Sequence, residues 1–260
     1  MFSLSVIGSL FLVLAITIGS SMIPGRFAHH GFEKAIPATA QAKTKASDKR
    51  ELAAKRAELS KPLYHKGKKY VALTFDDGPS RYTRRVLKIL RDNDVRATFF
   101  VIGTQIHGGR HIIKDAHKQG CQIASHTFRH RYFPNKSQHL LRTDVLRTNS
   151  VLKKNTGLVT NYVRLPYGAT NKKMNKTLRG MHMRKVFWTI DTRDWSRPGV
   201  NTIIRRATRP VKNGSIILMH DGGGNRTQTL KALPEVIKRL KKKGYIFCTV
   251  DDLYRFGIKK

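Results

Sequence analysis

The chain has few acidic residues and almost no cysteine. Asp plus Glu number 16 in 260 residues against 51 Lys plus Arg, giving a formal charge of +35 and a pI near 10.8. Such an imbalance points to an anionic partner: nucleic acid, an acidic polymer or an anionic membrane surface. No nucleic-acid motif accompanies the basic residues, so nucleic acid is set aside as a partner. The two cysteines, Cys121 and Cys248, are too few for a zinc ribbon or a disulfide framework. They are expected as free, buried thiols, one on each of two non-neighbouring strands. No internal repeat is visible. Charge is also missing from residues 2–23, which are rich in Leu, Ile and Val. That length suits a membrane span or a long signal peptide with Ala38-Thr39-Ala40 as a small-x-small cleavage site. Export is expected either way, to the cell envelope or beyond it, with membrane attachment if the segment stays uncleaved. Residues 1–24 are therefore assigned to a signal peptide or anchor and 25–67 to a basic linker. A mixed-charge helix could form over 48–59, but with little apolar face to bury. Residues 68–260 remain for a catalytic domain.

From Lys68 onward apolar strands alternate with helix-period runs. The strands are predicted at 71–75, 97–102, 122–125, 162–165, 186–190, 215–219 and 245–250. Helices are predicted at 83–92, 137–155 and 228–243, the last with a kink at Pro234. Seven strands alternating with helices imply parallel pairing and right-handed crossovers. Closed on itself, this is an α/β fold of the (β/α) barrel kind, with function at the C-terminal ends of its strands.

Those ends are chemically loaded. The first strand carries Val71, Leu73 and Phe75 on one face and stops on Asp76-Asp77-Gly78-Pro79. Neighbours on a strand point to opposite sides, so the two carboxylates are expected to diverge and do different work. The third strand ends in Ser125-His126-Thr127-Phe128-Arg129-His130 and the fourth in Arg164-Leu165-Pro166-Tyr167-Gly168. The fifth ends in Asp191-Thr192-Arg193-Asp194-Trp195 and the sixth in His220-Asp221-Gly222. One such set could be a solvated turn; five at one rim form a site. If Thr127 begins a helical turn, His126 and His130 fall on one side and can grip one metal ion with a carboxylate from the first strand. Two histidines and a carboxylate make a catalytic zinc pattern with open positions, a set that other divalent metals also use.

TFDDGP, HTFRH, RLPYG, DTRDW and LMH occur in this order and resemble the five motifs of the polysaccharide deacetylase (NodB-like) family, carbohydrate esterase family four. The resemblance covers roughly residues 68–256. It implies a distorted seven-stranded (β/α) barrel and metal-dependent removal of N-acetyl groups from β-linked aminosugar polymers. It implies Asp77, His126 and His130 as metal ligands, for one divalent ion such as Zn2+ or Co2+. Asp76 corresponds to the catalytic base, Arg164 to the residue that orients it, His220 to the catalytic acid and Asp194 to the carboxylate that sets its protonation. The backbone N–H of Tyr167 corresponds to the oxyanion donor. Trp195 and Leu218 correspond to the pocket for the acetyl methyl; a large aromatic is more often core, but the place of Trp195 beside Asp194 at the rim favours the pocket. Leu165 stands where the family often has a second proline, and is expected to loosen that loop.

Three functions follow. The first is an exported peptidoglycan N-acetylglucosamine deacetylase. The second is the same chemistry on chitin-like oligosaccharides, another exopolysaccharide or acetylated xylan. The third is an inactive, basic wall-binding module, against which the intact Asp76, Asp77, His126, His130 and His220 argue. The basic residues, in runs such as Lys153-Lys154, Lys172-Lys173, Arg205-Arg206 and Lys241 to Lys243, are either a solvated surface or a means of adhering to anionic wall polymers.

Overall fold

The computed structural model describes residues 64–259. The expected targeting segment and most of the expected linker, with its helix at 48–59, lie outside the described residues. Among the described residues no helix is long and apolar enough to cross a membrane.

The barrel is built on β1 (Lys69–Gly78), whose residues from Tyr70 onward are all buried. A strand covered on both faces reads as a continuous apolar run, and YVALTF is one. Its neighbours are β2 (Thr98–Val101) and β7 (Ser215–His220), both parallel to it. Beyond β2 come β3 (Gln122–Ser125), β4 (Tyr162–Val163) and β5 (Arg184–Lys185); beyond β7 comes β6 (Ile190–Asp191). The sheet order is β5-β4-β3-β2-β1-β7-β6, and β8 (Tyr245–Phe247) pairs with the first residues of β1. Every pairing is parallel, and the distorted barrel expected from the sequence forms.

The strand predicted at 186–190 does not exist. The chain forms β5 just before it and β6 at its end, and these are the two edges of the sheet. Six strand spacings laid flat would separate those edges by ~29 Å. The five residue steps from Lys185 to Ile190 span at most ~18 Å. The sheet must therefore curl until its edges nearly meet. Val186 N–H still bonds to Val163 and Thr189 N–H already bonds to Ile216, so the intervening residues bridge the gap without a ladder of their own.

Alternation along β1 divides the core. Val71, Leu73 and Phe75 face the outer helices, where they join Phe99, Met219, Val86 and Leu233. Tyr70 and Ala72 face the barrel interior with Phe100, Ala124 and Ile216. Farther along that inner face come Thr74 and Asp76, so the interior changes from apolar to polar towards the strand ends.

The helices are α1 (Thr83–Asp92), α2 (Ile106–Lys118), α3 (Gln138–Thr156), α4 (Lys172–Gly180), α5 (Val200–Thr208), α6 (Thr227–Lys242) and α7 (Val250–Arg255). In α1 the buried residues Thr83, Val86, Leu87 and Leu90 form one stripe. Ser137 caps α3 by accepting the Leu140 N–H, and Gly157 ends it in the left-handed region at φ 80°. The helix with Pro234 runs unbroken from Thr227 to Lys242. Gly108-Gly109 masks α2 in the sequence, and packing explains the second of them. A Cβ on Gly109 would lie 2.1 Å from the ring of Pro79, so only glycine lets α2 approach the turn after β1. Cys121 and Cys248 are free and buried, each one residue outside a strand, before β3 and after β8.

Candidate active site

β1 ends in a bulge. Asp76 pairs with Phe100 of β2, but Gly78 pairs with the next residue, Val101, which leaves Asp77 extra with φ 72°. The expected divergence of the two carboxylates is overturned here. Asp76 Oδ2 and Asp77 Oδ1 lie 3.7 and 3.4 Å from the same atom, His126 Nε2. Their second contacts differ: Asp76 Oδ1 accepts from Arg164 Nη1 at 2.7 Å, and Asp77 Oδ1 lies 3.1 Å from His130 Nε2.

His126 and His130 come together without the expected helical turn. The segment after β3 is irregular, and Thr127 and His130 have φ of 67° and 53°. Its backbone groups are engaged elsewhere. Thr127 N–H bonds Ser125 Oγ, Phe128 N–H bonds the buried carboxylate of Asp144 in α3, and both carbonyls accept from Gly103 and Thr104. With those bonds made outward, no i to i+4 ladder closes. The imidazole centroids are nonetheless 4.9 Å apart.

Asp77, His126 and His130 each offer an atom within 4.8 Å of the others. Their chemistry fits a divalent cation. His126 Nδ1 lies 2.8 Å from the Arg164 carbonyl, which can only accept, so Nδ1 carries the proton and Nε2 presents a lone pair to Asp77. Asp77 Oδ1 is buried without a hydrogen-bond partner, an orphan that a cation would satisfy. Burial pushes the Asp77 carboxyl up, but the imidazoles of His126 and His130 when protonated, together with His220, outweigh it and hold it well below the usual carboxylate range. The other side of Asp77 rests on glycine. A Cβ on Gly222 would lie 1.8 Å from the Asp77 carbonyl oxygen, and one on Gly223 would lie 2.3 Å from Asp77 Oδ2.

Arg164 enters from just beyond β4 and is completely buried. Nη1 bonds Thr74 Oγ1 at 2.9 Å as well as Asp76, and the guanidinium lies 4.0 Å from the centre of the Phe100 ring. On the opposite side, pairing of β1 with β7 sets His220 beside Asp76 in register. Asp194 holds His220 twice: Oδ1 meets Nδ1 at 2.7 Å and Oδ2 accepts the backbone N–H at 2.9 Å. Thr229 Oγ1 donates to the same Oδ2 at 2.6 Å. Burial works against a charged His220, but Asp194 overcomes it and raises its pKa above the ordinary histidine value. Asp194 itself is lowered despite burial, chiefly by His220.

Asp76, Asp77, His126, His130 and His220 line one cavity of about 640 Å³ with Tyr167, Trp188, Trp195 and Leu218. Tyr167 has φ 62°, and its N–H lies in the first turn of a one-turn 3₁₀ helix, where no intrahelical acceptor is available. Its ring stands edge-on to His130 at 4.9 Å. Trp195 is 48% exposed, which removes the core alternative; Leu218 is buried. Leu165 is buried in one cluster with Phe133, Leu141 and Met174.

Sequence reasoning gave no role to several residues of the site. Trp188 walls the cavity and packs on Gly168. Arg226 ties the loop after β7 together through the carbonyls of Gly222 and Gly223. Asp221 is fully buried behind Gly78, bonded by Thr83, and burial together with Asp77 and Asp76 pushes its carboxyl up to about 7. The Gly-Gly-Gly-Asn-Arg run after Asp221 was the signal for this turn.

Fold and site define a (β/α) barrel hydrolase with a two-histidine, one-carboxylate centre. The model of the family described as polysaccharide deacetylase matches residues 64–186. A peptidoglycan-N-acetylglucosamine deacetylase of Bacillus cereus is 38% identical over 191 residues, covering 72% of this chain and 89% of that protein. The peptidoglycan-N-acetylglucosamine deacetylase PgdA of Listeria monocytogenes is 33% identical over 190 residues, 73% of this chain but 40% of its own length. Among solved structures, the Xyl-CE4 domain of a multidomain xylanase from the hindgut metagenome of Trinervitermes trinervoides superposes with a TM-score of 0.70 at 34% identity, covering 75% of this chain and 93% of that domain. The chain belongs to the polysaccharide deacetylase family, hydrolases of N-acetyl amide bonds.

Proposed function

We propose that the chain is an exported deacetylase that removes N-acetyl groups from the N-acetylglucosamine units of peptidoglycan. The observation that carries the chemistry is the flanking of one candidate metal centre by Asp76 with Arg164 on one side and His220 with Asp194 on the other. Asp77, His126 and His130 would hold one divalent ion, zinc by preference. Such an ion supplies Lewis-acid polarisation of the amide carbonyl and acidification of water at neutral pH.

The protein's own groups do the rest. Asp76, oriented by Arg164, takes the proton of the attacking water. The Tyr167 N–H stabilises the developing oxyanion. The leaving amine is a poor leaving group until protonated, and His220, kept protonated by Asp194, donates that proton. Trp195 and Leu218 enclose the acetyl methyl. Relatives acting on peptidoglycan support the substrate, and the charge-free segment 2–23 supports export to the envelope. Acetylated xylan is the second reading, favoured by the xylanase-linked domain of the same fold. Acetate release by the full-length chain from peptidoglycan, chitin oligomers and acetylated xylan, side by side, tests both. Faster turnover of xylan or chitin than of peptidoglycan would overturn the substrate.

A further inference from the structure

The positive charge is not evenly offset along the chain. Between Asp144 and Asp191 the sequence holds ten Lys or Arg, from Arg147 to Lys185, and no Asp or Glu. Most of α3 and all of α4 fall in this stretch, and a groove of about 830 Å³ lies between the two helices. Its charged or ionisable lining is His139, Arg142, Lys176 and Arg179, all exposed and none acidic. Among the described residues, Arg142, Lys176 and Arg179 make no ion pair with a carboxylate. Beside the groove, on β5, burial and then the charge of Arg179 pull the Lys185 ammonium below the usual lysine range. Among the described residues the large exposed aromatics, Tyr64, Tyr132, Tyr167, Phe187 and Trp195, all lie outside the groove. It therefore offers charge for phosphates and, apart from His139, no aromatic ring on which bases could stack.

We propose that the α3–α4 groove binds a linear phosphodiester polymer without aromatic bases, holding the enzyme on its wall substrate. The proposal rests on the envelope reading above, and its test separates the two. The probe is synthetic polyglycerol phosphate, titrated against the full-length chain at several salt concentrations. Arg142→Glu/Lys176→Glu/Arg179→Glu should weaken binding at least tenfold at low salt. It should also reduce the slope of log K against log salt by about 2, at roughly 0.7 for each phosphate no longer neutralised. The same charge change on α6, Lys231→Glu/Lys238→Glu/Lys242→Glu, should leave binding within twofold. Neither triple variant should alter acetate release from a short neutral oligosaccharide, which also reports that both are folded. Equal weakening in both variants, or none in the first, overturns the proposal, because binding would then follow total charge. Single-stranded DNA of equal phosphate number binding tenfold tighter through the same residues would overturn it in favour of nucleic acid. If polymer binding persists while peptidoglycan yields no acetate, the substrate reading fails and the groove stands.

Discussion

Asp76 and Asp77 follow one another in the chain, yet both reach the Nε2 of His126, at 3.7 and 3.4 Å. The bulge at Asp77 turns what would be opposite faces of a strand into one site. What distinguishes the two is their second partner, Arg164 for Asp76 and His130 for Asp77. Asp77→Asn should therefore lose most of its metal after dialysis, since a neutral amide is a poor ligand. Asp76→Asn should keep the metal and lose about 10²–10⁴-fold in turnover, the usual worth of a general base. Metal content per protein beside acetate release decides it, and the reverse pattern would exchange the two roles.

Gly223 has φ 67°, and an added Cβ would sit 2.3 Å from Asp77 Oδ2. Gly223→Ala should displace that carboxylate and weaken metal binding by about 10–100-fold, as disturbing the support of a ligand typically does. Competition with a chelator of known affinity measures this. Gly108→Ala, where a Cβ meets nothing within 4 Å, is the control and should leave affinity unchanged.

The His220–Asp194 pair sets a pH limit. A catalytic acid must carry its proton, so activity falls as pH rises through its pKa. Asp194 raises that pKa, which keeps the acid loaded to higher pH. Asp194→Asn should shift the alkaline limb of the kcat/KM profile to lower pH as well as lowering its height. An unshifted limb would assign it to another group.

Arg164 and Asp76 are a buried pair, and Arg164 is without solvent contact. Arg164→Met leaves the Asp76 charge uncompensated and should cost roughly 3–5 kcal/mol of stability. Adding Asp76→Asn should recover part of that loss, because the stranded charge is gone. Urea denaturation of the two variants measures both; a double variant less stable than the single one contradicts the account.

Much of this site was legible because chemistry gathers at strand ends. Asp76, His126, Arg164, Asp194 and His220 stand at or just past the ends of β1, β3, β4, β6 and β7, and the alternation of Val71, Leu73 and Phe75 gave the outer face of β1. Local backbone geometry was not legible. The bulge at Asp77 and the left-handed Thr127 and His130 depend on partners distant in sequence, such as the carboxylate of Asp144. The strand expected at 186–190 failed for a related reason. Val186 and Thr189 hydrogen-bond to opposite ends of the sheet, so an apolar run that reads as one strand serves as a bridge. The sequence reads Leu165 only by what usually replaces it; its burial in one cluster with Phe133 and Met174 depends on partners distant in sequence.

A sheet that curls without closing keeps two edges, and unpaired edges are templates on which other chains can add a strand. Here the strands at the two ends of the β5-to-β6 path are two residues long, and β5 consists of Arg184 and Lys185. A foreign strand would find at most a few hydrogen bonds at that edge, beside two positive charges. The break between β5 and β6 is therefore a poor template for an added strand.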